Sequence, residues 1–191
     1  MARTKTISDE AVLAAAATVM FAKGPSDFTL ADVAKAAGIA PATLVQRFGD
    51  KHGLVVAAIT QDNRAFERFL AELPNENGAE AVIGVFARMF QGVDEDADQF
   101  ADQLLWLRQD MRDPDLNRLA RERFTALRAA VAARLPPLPI PGADAARLVE
   151  AQWQGALLQW GIEREGRLSE FVTAQLRAWF EMIGGRRLKF K

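Results

Sequence analysis

With 191 residues, half of them apolar and about a quarter charged, the chain is long enough to bury a core of its own and has the composition of a globular protein. A formal charge of −1 gives no overall bias toward nucleic acid, so any electrostatic recognition has to rest on a local surface. The absence of cysteine removes disulfides and thiolate chemistry, and a single histidine leaves no His/Cys set for zinc, so no metal and no cofactor is expected.

The first helix is expected to start at Ser8, whose hydroxyl can cap it, with Asp9 and Glu10 suited to the positive end of the helix dipole. Val12, Ala15, Ala16, Val19 and Met20 recur on one side. Lys23 and Gly24, a cation followed by a C-cap glycine, end it, and Pro25–Asp27 forms a turn. Arg3 and Lys5 ahead of the apolar run Ala11–Ala22 have the order of a secretion signal, but Asp9 and Glu10 interrupt the approach and no small-x-small cleavage site precedes Lys23. No run approaches the ~18 to 20 apolar residues of a membrane span. The expectation is a cytoplasmic protein with no membrane partner.

Phe28–Phe48 reads as two short helices joined by a glycine turn. Thr29 suits an N-cap, with Asp32 as its capping-box partner three residues on. Leu30, Val33, Ala34 and Ala37 form an apolar stripe, and Gly38 stands where the backbone must turn left-handed. Pro41 suits the first turn of the next helix, which buries Ile39 and Leu44 and leaves Thr43, Gln46 and Arg47 outward. A helix, a short turn with glycine and a helix with a polar outer face make a helix-turn-helix pattern.

Gly49 breaks the pattern, and Asp50 is expected to cap a fourth helix from Lys51 to about Leu73. Its stripe is Val55, Ala58, Ile59, Phe66, Phe69, Leu70 and Leu73, broken once by Asp62. Pro74–Gly78 ends it with strong turn chemistry. A helix of this length, shared between two lobes, can carry motion from one to the other. Further helices are expected over Glu80–Gly92, Asp98–Met111 and Asp115–Leu135, and the proline-rich Leu135–Gly142 is a stiff connector. The last two helices, Ala143 to about Arg164 and Leu168–Ile183, are joined by a short link at Gly166 and should lie antiparallel. Their wide apolar faces, with Val149, Trp153, Ala156, Leu157 and Trp160 on one and Val172, Leu176, Trp179 and Phe180 on the other, suit half of a four-helix bundle across a two-fold axis, with core packing inside one chain as the alternative. The basic end, Arg186–Lys191, reads as a solvated tail. No alternating strand pattern occurs, and the fold class is all-α with about nine helices.

No phosphate-cradling glycine loop and no G-x-S-x-G elbow is present. Glu163 and Glu165, two apart on a helix, point away from each other, and His52 stands alone at a helix start. No catalytic residue is assigned, and the chain is not read as an enzyme.

Taken in order, Phe21–Gly24, Phe28–Ala34, Ala37–Ile39, Thr43, Leu44, Phe48, Lys51 and Leu54 give residues 8–54 a pattern that resembles the DNA-binding domain of the tetracycline-repressor (TetR) family of bacterial regulators. The resemblance implies a helix-turn-helix domain over residues 1–54 and a larger effector-binding and dimerisation domain over 55–191. It implies a homodimeric, sequence-specific transcriptional regulator, a repressor released from a palindromic double-stranded operator by a small apolar effector. A helical homodimer that binds a small molecule without DNA is the alternative. Thr29, Pro41, Ala42, Thr43, Gln46, Arg47, Phe48 and Lys51 are the expected DNA-binding residues. Thr29 and Lys51 would hold phosphates at helix N-termini, Gln46 would read adenine, and Arg47 would either read guanine or take over the phosphate contact of the missing tyrosine. Phe66, Phe86, Met89, Phe90, Gln103, Leu104, Leu107, Met111 and Trp153 are the expected effector contacts. Two departures stand out: Val45 replaces the family's usual tyrosine, removing a common phosphate contact, and Ala40 replaces a capping serine or threonine.

Overall fold

The computed structural model of the protein describes residues 7–91 and 96–185. Nine helices and no strand occur among them: α1 (Asp9–Asp27), α2 (Leu30–Ala37), α3 (Pro41–Phe48), α4 (Lys51–Ala71), α5 (Ala79–Met89), α6 (Ala97–Arg112), α7 (Pro114–Ala132), α8 (Gly142–Glu163) and α9 (Leu168–Gly185). Arg3, Lys5, Gly92 and the basic end Arg186–Lys191 lie outside the described residues. None of the described helices is long and apolar enough to cross a membrane.

The expected caps form. The Ser8 hydroxyl accepts from the Ala11 N–H at 3.2 Å. Gly24, at φ +76°, breaks α1 just before its last turn, so Pro25–Asp27 is that turn rather than a loop. At the start of α2, Thr29 and Asp32 exchange both hydrogen bonds of a capping box. Gly38 closes α2 in the left-handed conformation at φ +66°, and its N–H reaches the last carbonyls of the helix. Asp50 accepts from the Gly53 N–H at 2.8 Å and so caps α4. Gly53 itself has to be glycine, because a Cβ there would stand 2.1 Å from the Phe48 carbonyl oxygen.

The chain packs as two compact units. The first takes the chain through Arg68 and then Ala101–Arg123; the second takes Phe69–Phe100 and Phe124 onward. This packing differs from a single division at residue 54, for identifiable reasons. The first half of α4 stays with the N-terminal helices, and the facing parts of α6 and α7 join them. Val12, Ala16, Met20, Phe28, Val33, Leu44 and Leu54 share one core with Trp106, Leu116 and Leu119. Trp106 packs against Phe28 and Phe21, with ring centroids 6.3 and 6.1 Å away. Asn63, buried on α4, donates to the Leu119 carbonyl at 2.9 Å. Asp62, which interrupts the α4 stripe, takes the Arg123 guanidinium at 2.6 Å, and that guanidinium lies over the Phe66 ring.

In the second unit α9 packs on α8 and α5. Val82, Val85 and Phe86 of α5, Val149, Ala156 and Trp160 of α8, and Val172, Leu176 and Phe180 of α9 are buried. Arg134 is buried too, and donates to the carbonyls of Leu73, Pro74 and Ala130. The Ala130 oxygen belongs to the last turn of α7, where carbonyls lack intrahelical partners and the dipole favours a cation, and those of Leu73 and Pro74 to the segment that follows α4. The proline-rich connector is non-helical as expected, and an open groove of 460 Å³ lies along it.

Candidate nucleic-acid interface and its relatives

The first unit presents α3, held from beneath by Leu44, which is buried, and by the half-buried Ile39 and Phe48. Its outer surface holds Pro41, Ala42, Val45 and Gln46, all exposed, while Thr43 and Arg47 are half-buried. Arg47 does not stand free in solvent. Its Nη1 donates to the Ile7 carbonyl at 2.9 Å and to Asp9 Oδ1 at 3.1 Å, tying α3 to the start of α1. The sequence placed this side chain outward because its partners lie 40 and 38 residues away. Val45, which stands where the family usually has a tyrosine, is 49% exposed, and its three-residue spacing from Ala42 puts the two on one face.

The two expected phosphate holders are engaged inside the chain. Lys51 Nζ donates to the Pro25 carbonyl at 3.0 Å and lies 4.0 Å over the Phe28 ring. An ammonium has three donors, so this contact leaves others for a phosphate while fixing where the charge sits. The Thr29 hydroxyl donates to Asp32 Oδ2 at 2.8 Å and accepts from the Asp32 N–H. Lys23, followed by the hydroxyl and N–H of Thr29, holds the Asp32 carboxyl down at about 2. The carboxylate is therefore charged throughout the physiological range, and the cap at the start of α2 persists.

His52 is exposed and turned toward the start of α7. Its Nδ1 lies 3.5 Å from Asp113 Oδ2 and its Nε2 3.3 Å from Asp115 Oδ2. These three side chains are close enough to hold a cation. Asp113 already has a helical reason for its place, since its Oδ1 accepts the N–H groups of Asp115 and Leu116 at the first turn of α7, and Asp115 is the acidic residue of that turn.

The expected effector contacts divide between the units. Phe66 is buried in the first; Leu104 and Leu107 are half-buried there, Gln103 is exposed, and Met111 at 70% exposure lines no enclosed space. In the second unit Phe86 is fully buried, and its ring stacks at 5.2 Å on Trp153. Met89 and Phe90 are half-buried on the same helix end as Phe86. The Trp153 Nε1 is buried and has no hydrogen-bond partner. An indole N–H in that position normally finds one, which marks this cluster within the set.

Most of the expected dimer residues pack inside the chain. Val149, Ala156, Trp160, Val172, Leu176 and Phe180 are buried within the chain, and Trp153, Leu157 and Trp179 are half-buried. They make the internal packing of α5, α8 and α9, and Trp160 Nε1 donates to the Gly166 carbonyl in the turn between α8 and α9. The outward side of α8 carries a second apolar series: Leu148, Ala151, Gly155, Leu158 and Ile162, all exposed and spaced alternately by three and four residues. On α9, Ala174, Ala178 and Met182 are exposed at four-residue intervals.

Residues 12–58 match the model of the bacterial regulatory proteins of the tetR family. Comparison with curated protein sequences finds no match. Among solved structures, a transcriptional regulator from Rhodococcus sp. Rha1 superposes with a TM-score of 0.76 at 20% identity, covering 93% of this chain and 96% of the other. A TetR transcription regulator from Haloarcula marismortui gives 0.75 at 14% identity, covering 93% and 99%. The multidrug binding protein EbrR complexed with imidazole gives 0.66 at 23% identity, covering 92% and 96%. The match to the tetR family thus covers residues 12–58, and the chain shares its fold with these solved structures along nearly its whole length.

Proposed function

We propose that the protein is a homodimeric, ligand-responsive repressor that binds a palindromic operator through α3 and leaves it when a small apolar molecule binds. The observation that carries the DNA-binding part is the exposed outer face of α3, set on a well-packed three-helix frame within the region matching the family model. Residues 1–54 carry the DNA contacts and residues 55–191 the effector and dimer functions. Gln46 reads bases, while Thr29 and Lys51 offer phosphates the N-terminal ends of α2 and α4. Arg47 acts from behind the interface by anchoring α3 to α1.

The effector part rests on the cluster of Phe86, Met89, Phe90 and Trp153 in the second unit, with its unpaired indole donor. A neighbour of the same fold is a multidrug binding protein complexed with imidazole, which supports a small-molecule role for this chain. The ligand class is an aromatic or apolar molecule with at least one hydrogen-bond acceptor. Dimerisation uses the outward face of α8 with Ala174, Ala178 and Met182 of α9.

The test is equilibrium binding of the full chain to the DNA upstream of its own gene against random duplex, in a salt series. Binding to the upstream DNA is expected to exceed random DNA by about 10³-fold or more, and both to weaken steeply with salt. Gln46→Ala should remove much of that preference and leave binding to random DNA unchanged. Equal affinity for both DNAs, unaffected by Gln46→Ala, would sink the operator reading and leave a ligand-binding dimer.

A further inference from the structure

The outer face of α3 is unusual in its chemistry. At 100° per residue, Pro41, Ala42, Val45 and Gln46 span an arc of about 140°, and Gln46 is the only one whose side chain can make hydrogen bonds. The cations of α3 and of the start of α4 are turned elsewhere: Arg47 to Ile7 and Asp9, Lys51 to Pro25 and Phe28. No acidic residue occurs on α3.

Each base pair shows the major groove a distinct pattern. Guanine offers two acceptors and calls for an arginine or lysine; cytosine offers a donor and calls for a carboxylate. Adenine offers one donor and one acceptor, which an amide matches, and thymine offers a methyl group, which an apolar side chain matches. The α3 face holds an amide beside an exposed valine and alanine, and no group suited to guanine or cytosine. We propose that α3 reads A·T pairs, with Gln46 on adenine and Val45, aided by Ala42, on a thymine methyl. This deepens the operator reading above and rests on it. Val45 is then a specificity-determining residue: half of its surface is open in the free protein, and a thymine methyl would cover it.

The experiment is selection of sites from a random double-stranded library by the full chain, repeated with Gln46→Ala and Val45→Ala. The positions read by α3 are those whose preference changes in a variant. They are expected to be A·T, with the adenine preference falling about tenfold in Gln46→Ala. Replacing single thymines of the selected site by uracil removes the methyl alone. At one position this should weaken binding about fourfold, the worth of one buried methyl, and the loss should vanish in Val45→Ala. Both side chains are exposed, and thermal melts of the variants should match the parent. Variant-sensitive positions that are G·C, or uracil replacements without effect at every position, would overturn the A·T assignment while the operator reading stands. A library that yields no enriched sequence would overturn both.

Discussion

Asp110 shows how much one side chain's surroundings matter. It lies half-buried on α6, and burial pushes its carboxyl up to about 6, partly offset by the charge of Arg123. In the unfolded chain an aspartate titrates near ~3.9. Between those values the folded state binds more protons than the unfolded one, so this residue's contribution to stability falls as pH rises through that window. Above about pH 6 the penalty is complete, and below about pH 4 it disappears. Asp110→Asn is therefore expected to stabilise the protein at pH 7.5 by about 1 kcal/mol, a value reduced for partial solvent screening. For a chain of this size that is about 2–4 °C in Tm. Melts from pH 4.5 to 7.5 should show the gap narrowing as pH falls. A gap constant across the series, or a destabilised variant, would refute the assignment. The Asn117 bond to Asp110 uses the backbone carbonyl and is untouched by the change.

At the scale of the element, α2 and α3 make a contrast. The cap of α2 was readable because its chemistry is local: Thr29 and Asp32 are three residues apart, and the capping box between them forms as expected. The role of Arg47 was not readable, since an i-to-i+40 contact leaves no trace in a periodicity argument. Lys51 is similar, drawn to a carbonyl 26 residues back. The absent cap of α3 was local and therefore legible: Ala40 takes extended backbone angles but offers no side-chain acceptor. Ala40→Ser should supply one to the first turn of α3 and stabilise the protein by about 0.5–1 kcal/mol. The control is Ala31→Ser, within α2 and exposed, where a serine should cost a few tenths of a kcal/mol. Melting both variants with the parent separates a capping effect from a general serine effect. If Ala40→Ser melts no higher than Ala31→Ser, α3 does not need the cap.

At the scale of the molecule, what eluded the sequence is which of two faces on α8 looks outward. Val149, Trp153, Ala156 and Trp160 form one apolar series, and Leu148, Ala151, Gly155, Leu158 and Ile162 another. Both have helical periodicity, and hydrophobicity alone favoured the first because it holds two tryptophans. Packing against α5 and α9 consumes that series and leaves the second exposed, with Ile162 at 84%. A strict alternation of three and four is the spacing of a seam between helices, and small residues at 151 and 155 permit close approach. Covering Leu148, Leu158, Ile162 and Met182 would bury apolar side chains worth up to about 1.5–3 kcal/mol each, enough to drive association of two chains. A dimer is also what an operator of two half-sites, ~34–36 Å apart, requires. Leu158→Lys with Ile162→Lys should therefore yield a folded monomer by sedimentation, melting independently of concentration. Its operator affinity should fall steeply, because one head alone pays the full cost of association for half the contacts. The double variant remaining a dimer would place the interface elsewhere. A monomer that still binds the full operator as tightly as the parent would show that pairing on this seam does not serve DNA recognition.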